Sequence, residues 1–312
     1  METINRFLEV HKSRECSYSD FVQYYLNDSK LHNHTLENLF LYFSLEDHLR
    51  KGRVHFYYSV IFINDNRRYK WFINSVDLDI DKVFDFSILS EDIKKKMIFY
   101  SSSELISDFL IKSKFKETVY NLVNIFDIQI YFDKYKNKKV SEIKKKFYNR
   151  VKYPFIYLSR LNFVSRDIDE KMLDEIEQLH KDWCTYKLED PKTFKMMFSS
   201  NRYYRCLEQS FTSEYLKYST WYRKAFYLDG KLIAVRQCLI QGDTSYDIGF
   251  FSRFWDTPSN IVNYINTWCM YDLLHLGVRF HNCGAEMDKN LGMFKSHFPN
   301  FYRYGYKYNF KK

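Results

Sequence analysis

The chain has 312 residues, of which 46% are hydrophobic and 28% are charged. This balance is typical of a folded globular protein and excludes an intrinsically disordered chain. Lys and Arg outnumber Asp and Glu by 48 to 39, which gives a formal net charge of +9. Aromatic residues reach 20%, and we attribute most of this excess to an AT-rich coding sequence rather than to a binding surface.

The first part of the chain alternates short helical and strand patterns without a repeat or a low-complexity linker. In chain order, apolar spacing predicts helices over 19–27 and 36–50, strands over 54–63 and 69–76, a helix over 102–116 and a strand over 127–132. Any domain boundary in this part must therefore be short.

Positive charge is concentrated between residues 134 and 152. This segment has nine basic side chains and one acid, so it carries +8 of the net charge and leaves the rest nearly neutral. Val140, Ile143, Phe147 and Val151 fall at helical spacing, which predicts an amphipathic helix that presents its lysines outward. Such a basic surface indicates a polyanionic partner: tRNA, DNA, a phosphorylated cofactor or an anionic membrane. The candidate polyanion-binding residues are Lys138, Lys139, Lys144, Lys145, Lys146 and Arg150.

The second part of the chain has a more regular pattern. We expect Pro154 to end the basic helix. The pattern then predicts, in chain order, a strand over 155–161, a helix over 169–186, a hairpin of 224–228 and 232–241, a strand over 244–251, a loop over 252–260, a helix over 261–276, a strand over 278–282, a helix over 290–298 and a strand over 301–310. Asp229-Gly230 marks the hairpin turn, Thr257 and Pro258 are the predicted N-cap and first residue of their helix, and Gly277 ends it. This order predicts a mixed α/β layer fold.

Several stretches of this second part occur in a recognisable order. They read SEIKKKFYNRVKYP, DEKMLDEIEQLHKDW, YLDGKLIAVRQCL, SYDIGFF, DTPSNIVNYINTWCMYDLLHLGVRFHNCG and LGMFKSHFPNFYRYGY. Together they resemble tandem-GNAT acyltransferases, which include the Fem-type aminoacyltransferases and the catalytic domain of phosphatidylglycerol lysyltransferases. The resemblance covers about residues 134–312. It implies a mixed-sheet GNAT-like fold with two tandem domains: a degenerate N-terminal domain over 1–133 and a catalytic domain over 134–312.

The resemblance also implies an activity and its site residues. The reaction would move an acyl or aminoacyl group from aminoacyl-tRNA or acyl-CoA to an amine or hydroxyl, with no permanently bound cofactor. The usual acyl-CoA fingerprint is absent from the loop at 252–260, so both donors stay open. The loop and a downstream lysine would hold the donor phosphates through Ser252, Arg253, Thr257, Ser259, Asn260 and Lys295. Asp247 would be the base or amine-binding group, Asn282 would orient the acceptor, and Tyr246 or Tyr304 would return a proton to the leaving group.

Two other functions fit the sequence. One is a GNAT-like enzyme that modifies bases of DNA or RNA, and the other is a non-catalytic nucleic-acid-binding module of the same shape. The six cysteines are scattered without a CxxC pair, and no apolar run of membrane-spanning length or signal peptide is recognisable, so we expect a cytoplasmic protein with reduced thiols. His32 and His34 have no second ligand pair, so we predict no metal site.

Overall fold

A computed structural model describes residues 15–17, 20, 51–57, 60–64, 68–73, 86–101, 104–136, 152–189, 202–212, 220–258, 260–285 and 300–311. The strands are β1 Val54–Tyr57, β2 Val60–Asn64, β3 Tyr69–Ile73, β4 Met97–Ser101, β5 Phe115–Asp127, β6 Phe163–Asp167, β7 Thr220–Leu228, β8 Lys231–Gln241, β9 Thr244–Ser252, β10 Phe280–Ala285 and β11 Asn300–Phe310. The helices are α1 Glu91–Lys94, α2 Glu104–Lys112, α3 Ile128–Lys136, α4 Tyr153–Leu158, α5 Leu173–Glu189, α6 Arg202–Thr212 and α7 Ile261–His275.

The chain forms two compact units. The first comprises Met1–Asn124, Gly284–Met293 and Phe301–Lys312, and the second comprises Ile125–Cys283 and Phe294–Asn300. The final strand, β11, therefore groups almost entirely with the first unit. The division into domains at residues 133 and 134 stays a prediction.

The first unit contains a mixed sheet in the order β1-β2-β3-β4-β11-β5. β3 and β4 are parallel, whereas β1 with β2, β2 with β3, and β4 with β11 are antiparallel. Its core is aromatic, with Phe62, Trp71, Phe99 and Phe115 among the fully buried side chains. The single strand predicted over 54–63 is wrong: it is an antiparallel pair in which Val54 lies opposite Ile63. The predicted helix at 102–116 is shorter, because Phe115 already begins β5.

The second unit is a mixed sheet with helices on both faces. The strand order is β10-β9-β8-β7-β6, with β9 and β10 parallel and the other neighbours antiparallel. One face packs on α5 and α6 through residues such as Leu179 and Val235, and the other packs on α7, α3 and α4 through residues such as Ile265 and Cys238. Apolar helical stripes on both sides explain why β8 is almost continuously buried.

Local signals predicted the elements around β8 and α7 correctly. Asp229 and Gly230 have φ values of 51° and 78°, so they form the two-residue turn that joins β7 and β8. Gly277 has φ 83°, and the amides of Gly277 and Val278 donate to the carbonyls of Leu274 and Leu273. This is the Schellman ending of a helix, in which glycine is the favoured residue.

Two predictions between residues 127 and 161 and one prediction at the start of α7 are wrong. The strand predicted over 127–132 is wrong: Asp127 ends β5, and its carboxylate accepts the Ile130 amide at 2.9 Å and caps the start of α3. Residues 155–161 are not a strand either, since Pro154 lies in the first turn of α4. The predicted end of the basic helix at Pro154 stays a prediction, because residues 137–151 lie outside the described residues. Thr257 is not the N-cap of α7: Asn260, with φ 71°, holds that position.

Some expected elements fall outside the described residues. Residues 137–151 of the predicted basic helix are not among the described residues, and neither are the helices predicted over 36–50 and 290–298 or, apart from residue 20, the helix predicted over 19–27. The sequence patterns also missed β6 and α6. None of the helices in the described part of the chain is long and apolar enough to cross a membrane.

Candidate functional site

The parallel strands β9 and β10 stay paired over only three residues. Thr244 pairs with Phe280, Ser245 with His281 and Tyr246 with Asn282. Both strands continue, β9 to Ser252 and β10 to Ala285, and within the described residues no further pair joins them. We call this parting of the two strands the β9–β10 fork, and Asp247 is the first residue of β9 beyond its last pair.

A β-bulge lies beside the fork. Gln237 pairs with Gly249 while Cys238 pairs with Asp247, so Ile248 is an extra residue in β9. A bulge re-aims the side chains that flank it, and bulges are over-represented next to active sites. Gly249 is closely packed, because a Cβ there would lie 3.1 Å from Gln237 Nε2. The backbone around Asp247 is therefore fixed from the β8 side.

Arg236 links the fork to the surrounding elements. Its side chain is buried on β8, and Nη2 donates to Asp247 Oδ2 at 3.0 Å and to His281 Nε2 at 2.9 Å. Nη1 donates to Asn266 Oδ1 on α7. Burial is the largest single influence and disfavours the charged guanidinium, but the Asp247 carboxylate together with Cys238 and Cys269 outweighs it, so the pKa of Arg236 is raised. We call Arg236, Asp247, His281, Asn266 and Ser245 the Arg236 network.

The hydrogen bonds of this network assign the protonation of His281. A guanidinium can only donate, so His281 Nε2 accepts and the proton of the neutral ring lies on Nδ1. Nδ1 then donates to Ser245 Oγ at 2.8 Å, and Ser245 Oγ donates to the Phe280 carbonyl at 3.4 Å. His281 is thus fully occupied as a structural partner and is not a free proton acceptor.

Asp247 is the member of this network that solvent reaches. Its side chain is 22% exposed, whereas that of Arg236 is 4% exposed. The Oδ1 atom of Asp247 is buried and Oδ2 is bound by Arg236, so an amine or hydroxyl would have to share Oδ2 with Arg236 or displace the groups that cover Oδ1. The neighbouring Asn282 and Tyr246 are buried, with exposures of 1% and 0%. Their catalytic assignments stay predictions, as does that of Tyr304, which lies in β11.

The loop after β9 is positioned by contacts at its first two residues. Ser252 is buried and pairs with Ala234, and the Arg253 amide donates to the Ile233 carbonyl at 2.8 Å. The Arg253 guanidinium forms an ion pair with Asp182 on α5 at 2.6 Å. A donor phosphate would have to share Arg253 with Asp182 or replace it.

The start of α7 carries no side-chain cap from Asn260. Amides at the first turn of a helix are suited to an anionic group, so this start is compatible with the predicted phosphate site. Within the described residues, the buried Thr257 Oγ1 has no hydrogen-bond partner. The remaining donor candidates, Ser259 and Lys295, lie outside the described residues.

The polyanion-binding candidates also lie outside the described residues. They are Lys138, Lys139, Lys144, Lys145, Lys146 and Arg150, and their role stays a prediction. The structure therefore places Asp247, Asn282 and Tyr246 around the end of the β9–β10 pairing in the second unit, with the loop following β9, and leaves the basic segment untested.

Sequence reasoning missed Arg236, His281, Asn266 and Ser245. A signal for Arg236 was present, since an arginine within the apolar strand IAVRQCL is rarely buried without a partner. The identity of that partner was not readable, because it depends on the register of three strands. In the described residues, no group of three or more His, Cys, Asp or Glu side chains is placed to hold a metal ion.

A second polar pair, on α5, does not have the chemistry of a nucleophilic site. Cys184 Sγ lies 3.6 Å from His180 Nε2. Burial raises the pKa of the Cys184 thiol to about 11 and lowers the pKa of His180 to about 4, although Glu177 opposes the shift at His180. Both groups are therefore neutral at physiological pH, and the thiolate that a nucleophile needs is disfavoured. All six cysteines lie among the described residues, and no disulfide joins any of them.

Comparison with solved structures places this architecture among known folds. A conserved protein of unknown function from Bacteroides thetaiotaomicron matches with a TM-score of 0.65 at 13% identity, over 95% of this chain and 98% of that one. The C-terminal domain of an Agrobacterium fabrum protein assigned as a lysylphosphatidylglycerol synthetase matches with a TM-score of 0.61 at 14% identity, over 95% and 93% of the two chains. FemX matches with a TM-score of 0.54 at 9% identity, over 94% and 96%.

No protein-family model and no curated protein sequence matches the chain. Both kinds of protein named in the sequence resemblance are nevertheless among the structural matches, so the predicted likeness and fold class are confirmed. The chain has the mixed α/β, GNAT-like fold of the lysylphosphatidylglycerol synthetase domain and FemX.

Proposed function

We propose that this chain is an acyltransferase that moves an acyl or aminoacyl group from an acyl-CoA or an aminoacyl-tRNA to an amine or hydroxyl acceptor. The observation that carries the proposal is the β9–β10 fork, with the Asp247 carboxylate held at its opening by Arg236 at 3.0 Å. The fold it shares with FemX and the lysylphosphatidylglycerol synthetase domain supports the same reaction class.

Asp247 would act on the acceptor. An amine must lose a proton before its lone pair can attack a carbonyl carbon, and a hydroxyl must lose one during the attack. In the proposed reaction the proton passes to Asp247, the acceptor nitrogen or oxygen bonds to the carbonyl carbon, and the bond to the leaving group breaks. The leaving thiolate or ribose alkoxide takes a proton, so the products are the acylated acceptor and free CoA or tRNA.

The Arg236 network would position this carboxylate. Arg236 Nη2 binds Asp247 and His281 together, and Nη1 binds Asn266, so Asp247 is fixed relative to β10 and α7 as well as β8. Catalytic groups must be held within a fraction of an ångström by supporting residues. Asn282, one position after His281, is proposed to orient the acceptor or the reacting carbonyl.

The donor would bind at the loop that follows β9. We propose that Ser252, Arg253, Thr257, Ser259, Asn260 and Lys295 hold its phosphates, and that the first turn of α7 contributes backbone amides. The basic segment around residues 138–150 would bind the rest of the donor if it is an aminoacyl-tRNA. Nucleic acid as the acceptor, and binding without catalysis, stay alternative predictions.

The test is a panel of donors and acceptors with the Asp247→Asn variant. Release of free CoA thiol and discharge of aminoacyl-tRNA are measured, and products are identified by mass spectrometry. We expect Asp247→Asn to lower kcat by about a hundredfold or more, because a positioned base contributes roughly 10²–10⁴-fold. Asp167→Asn is the matched control, since Asp167 also forms an ion pair, with Lys224 at 2.9 Å, on another strand of the sheet. Full turnover by Asp247→Asn would refute the assignment.

A further inference from the structure

A cluster of aromatic side chains lies where the donor loop meets α5. Tyr186 stacks on Trp255 with ring centroids 4.5 Å apart and planes 10° apart. Phe254 is nearly perpendicular to both rings, at 5.0 Å from Tyr186 and 5.3 Å from Trp255. Phe254 is therefore beside the stacked pair and not on top of it. We call these three residues the aromatic platform.

The aromatic platform is partly open to solvent. Tyr186 and Phe254 are each 38% exposed, which is unusual for rings that already contact one another. Within the described residues, no ring other than Trp255 stacks on Tyr186, and 38% of Tyr186 is exposed, so part of its ring is open to solvent. A partly exposed phenol ring can stack against a flat heteroaromatic ring.

Positive charge accompanies the platform. Lys187 Nζ lies 4.8 Å from the centroid of the Phe254 ring, a cation–π contact that holds the ammonium group beside the cluster. Arg253, adjacent to Phe254 in the chain, is paired with Asp182. Lys231 is likewise paired with Asp256. Lys187 is thus available for a phosphate beside an aromatic ring, which is the combination that nucleotides require.

We propose that the aromatic platform binds the adenosine of the donor, by stacking adenine on Tyr186 and by attracting an adjacent phosphate to Lys187. This rests on the proposed function, because its two candidate donors share this chemistry: CoA contains a phosphorylated adenosine, and an aminoacyl-tRNA ends in one. The platform belongs to the same loop, Phe254 and Trp255 directly following Arg253. It therefore gives the site a means of recognising either donor apart from its acyl group.

The first experiment measures the binding of CoA, adenosine 3′,5′-diphosphate and 4′-phosphopantetheine to the full chain. Tyr186→Leu is expected to weaken the two adenosine ligands by about fivefold to a hundredfold, the range for loss of one stacked base. The binding of 4′-phosphopantetheine should not change in Tyr186→Leu, and Tyr186→Phe should bind all three ligands as the wild type does. Tyr271→Leu is the matched control, because Tyr271 is 41% exposed in the same unit but on α7. Lys187→Gln should weaken the binding of adenosine 3′,5′-diphosphate more than the binding of adenosine, which is measured alongside as the ligand without phosphate.

A second arm uses RNA minihelices that end in CCA or in CC. A Tyr186-dependent preference for the CCA end identifies tRNA as the source of the adenosine, and a Tyr186-dependent loss of CoA binding alone identifies CoA. If the binding of adenosine 3′,5′-diphosphate depends on Tyr186 but no donor is turned over, the platform is supported and the proposed acyl transfer is refuted. If CoA and the CCA minihelix bind and Tyr186→Leu weakens neither, or if no adenosine ligand binds, the platform proposal is wrong.

Discussion

His180 should make the stability of the second unit depend on pH. Its imidazole is buried within α5 against Trp183, Tyr203, Tyr204 and Phe251, with ring centroids 5.1 to 6.5 Å away. Burial lowers the pKa of His180 from 6.5 to about 4, against the opposing charge of Glu177. The folded state therefore favours the neutral ring, whereas the unfolded chain protonates it near its ordinary pKa.

The sign of the effect follows from proton binding. Between the two pKa values the unfolded state binds more protons, so the stabilisation is complete above the unfolded pKa and is lost as the pH falls toward the folded one. A shift of 2.5 pKa units corresponds to about 3 kcal/mol at most, and roughly 2 kcal/mol of it is lost between about pH 7.5 and about pH 5. That is a large fraction of the stability of a typical domain.

The assay is urea unfolding at both pH values, with the histidine pKa followed directly by NMR. In His180→Phe, which keeps an aromatic ring in the pocket, the loss of stability on acidification should be about 2 kcal/mol smaller than in the wild type. His275→Gln is the control, because His275 is exposed at the end of α7. Equal acid sensitivity of the wild type and His180→Phe, or an NMR pKa near the ordinary value, would show that the reasoning is wrong.

Three further predictions concern the network, a helix end and the basic segment. Arg236→Met should destabilise the second unit by roughly 3–5 kcal/mol in urea unfolding, since it leaves the Asp247 carboxylate without its buried partner, and the double variant with Asp247→Asn should recover part of that loss. Gly277→Ala should cost about 1 kcal/mol or more in the same assay, because residue 277 has φ 83° and a Cβ is strained there even though no atom lies within 4 Å of it. Replacing Lys138, Lys139 and Lys144–Lys146 by Gln should weaken tRNA binding and lower the slope of log K against log salt, and an unchanged slope would exclude these lysines from the tRNA contact.

Elements whose signals are local could be predicted from the sequence. The β7–β8 hairpin depends on two turn residues and the end of α7 depends on one glycine, so one or two residues were sufficient to predict each feature. The errors have a common cause, which is that short aromatic and aliphatic runs fit both a strand and a buried helix. In the segment predicted as a strand over 127–132, Asp127 caps the helix α3 instead. In the segment predicted as a strand over 155–161, Pro154 lies in the first turn of the helix α4.

Single site residues could be proposed from the sequence, but their arrangement could not. Asp247 and Asn282 were selected from the predicted strands and the family resemblance, and their roles stay predictions. His281, by contrast, is separated from Arg236 by 45 residues and meets it only because β9 lies between their strands in a defined register. No periodicity in one strand contains that information, so Arg236 could be noticed as a buried arginine but not assigned its partners.

The placement of Arg236 explains how a short parallel pairing can support a precise site. Once β9 and β10 part beyond Tyr246 and Asn282, backbone hydrogen bonds no longer hold the two strands at a fixed separation. Arg236 supplies side-chain bonds beside this point, to Asp247, the first residue of β9 beyond the pairing, and to His281, within the paired part of β10, and a third bond to Asn266 anchors the guanidinium to α7. A lysine has a single ammonium group and lacks the planar set of N–H donors that reaches these three acceptors. One buried guanidinium therefore ties the first unpaired residue of β9 to β10 and to α7, and the role proposed for Asp247 depends on that anchoring.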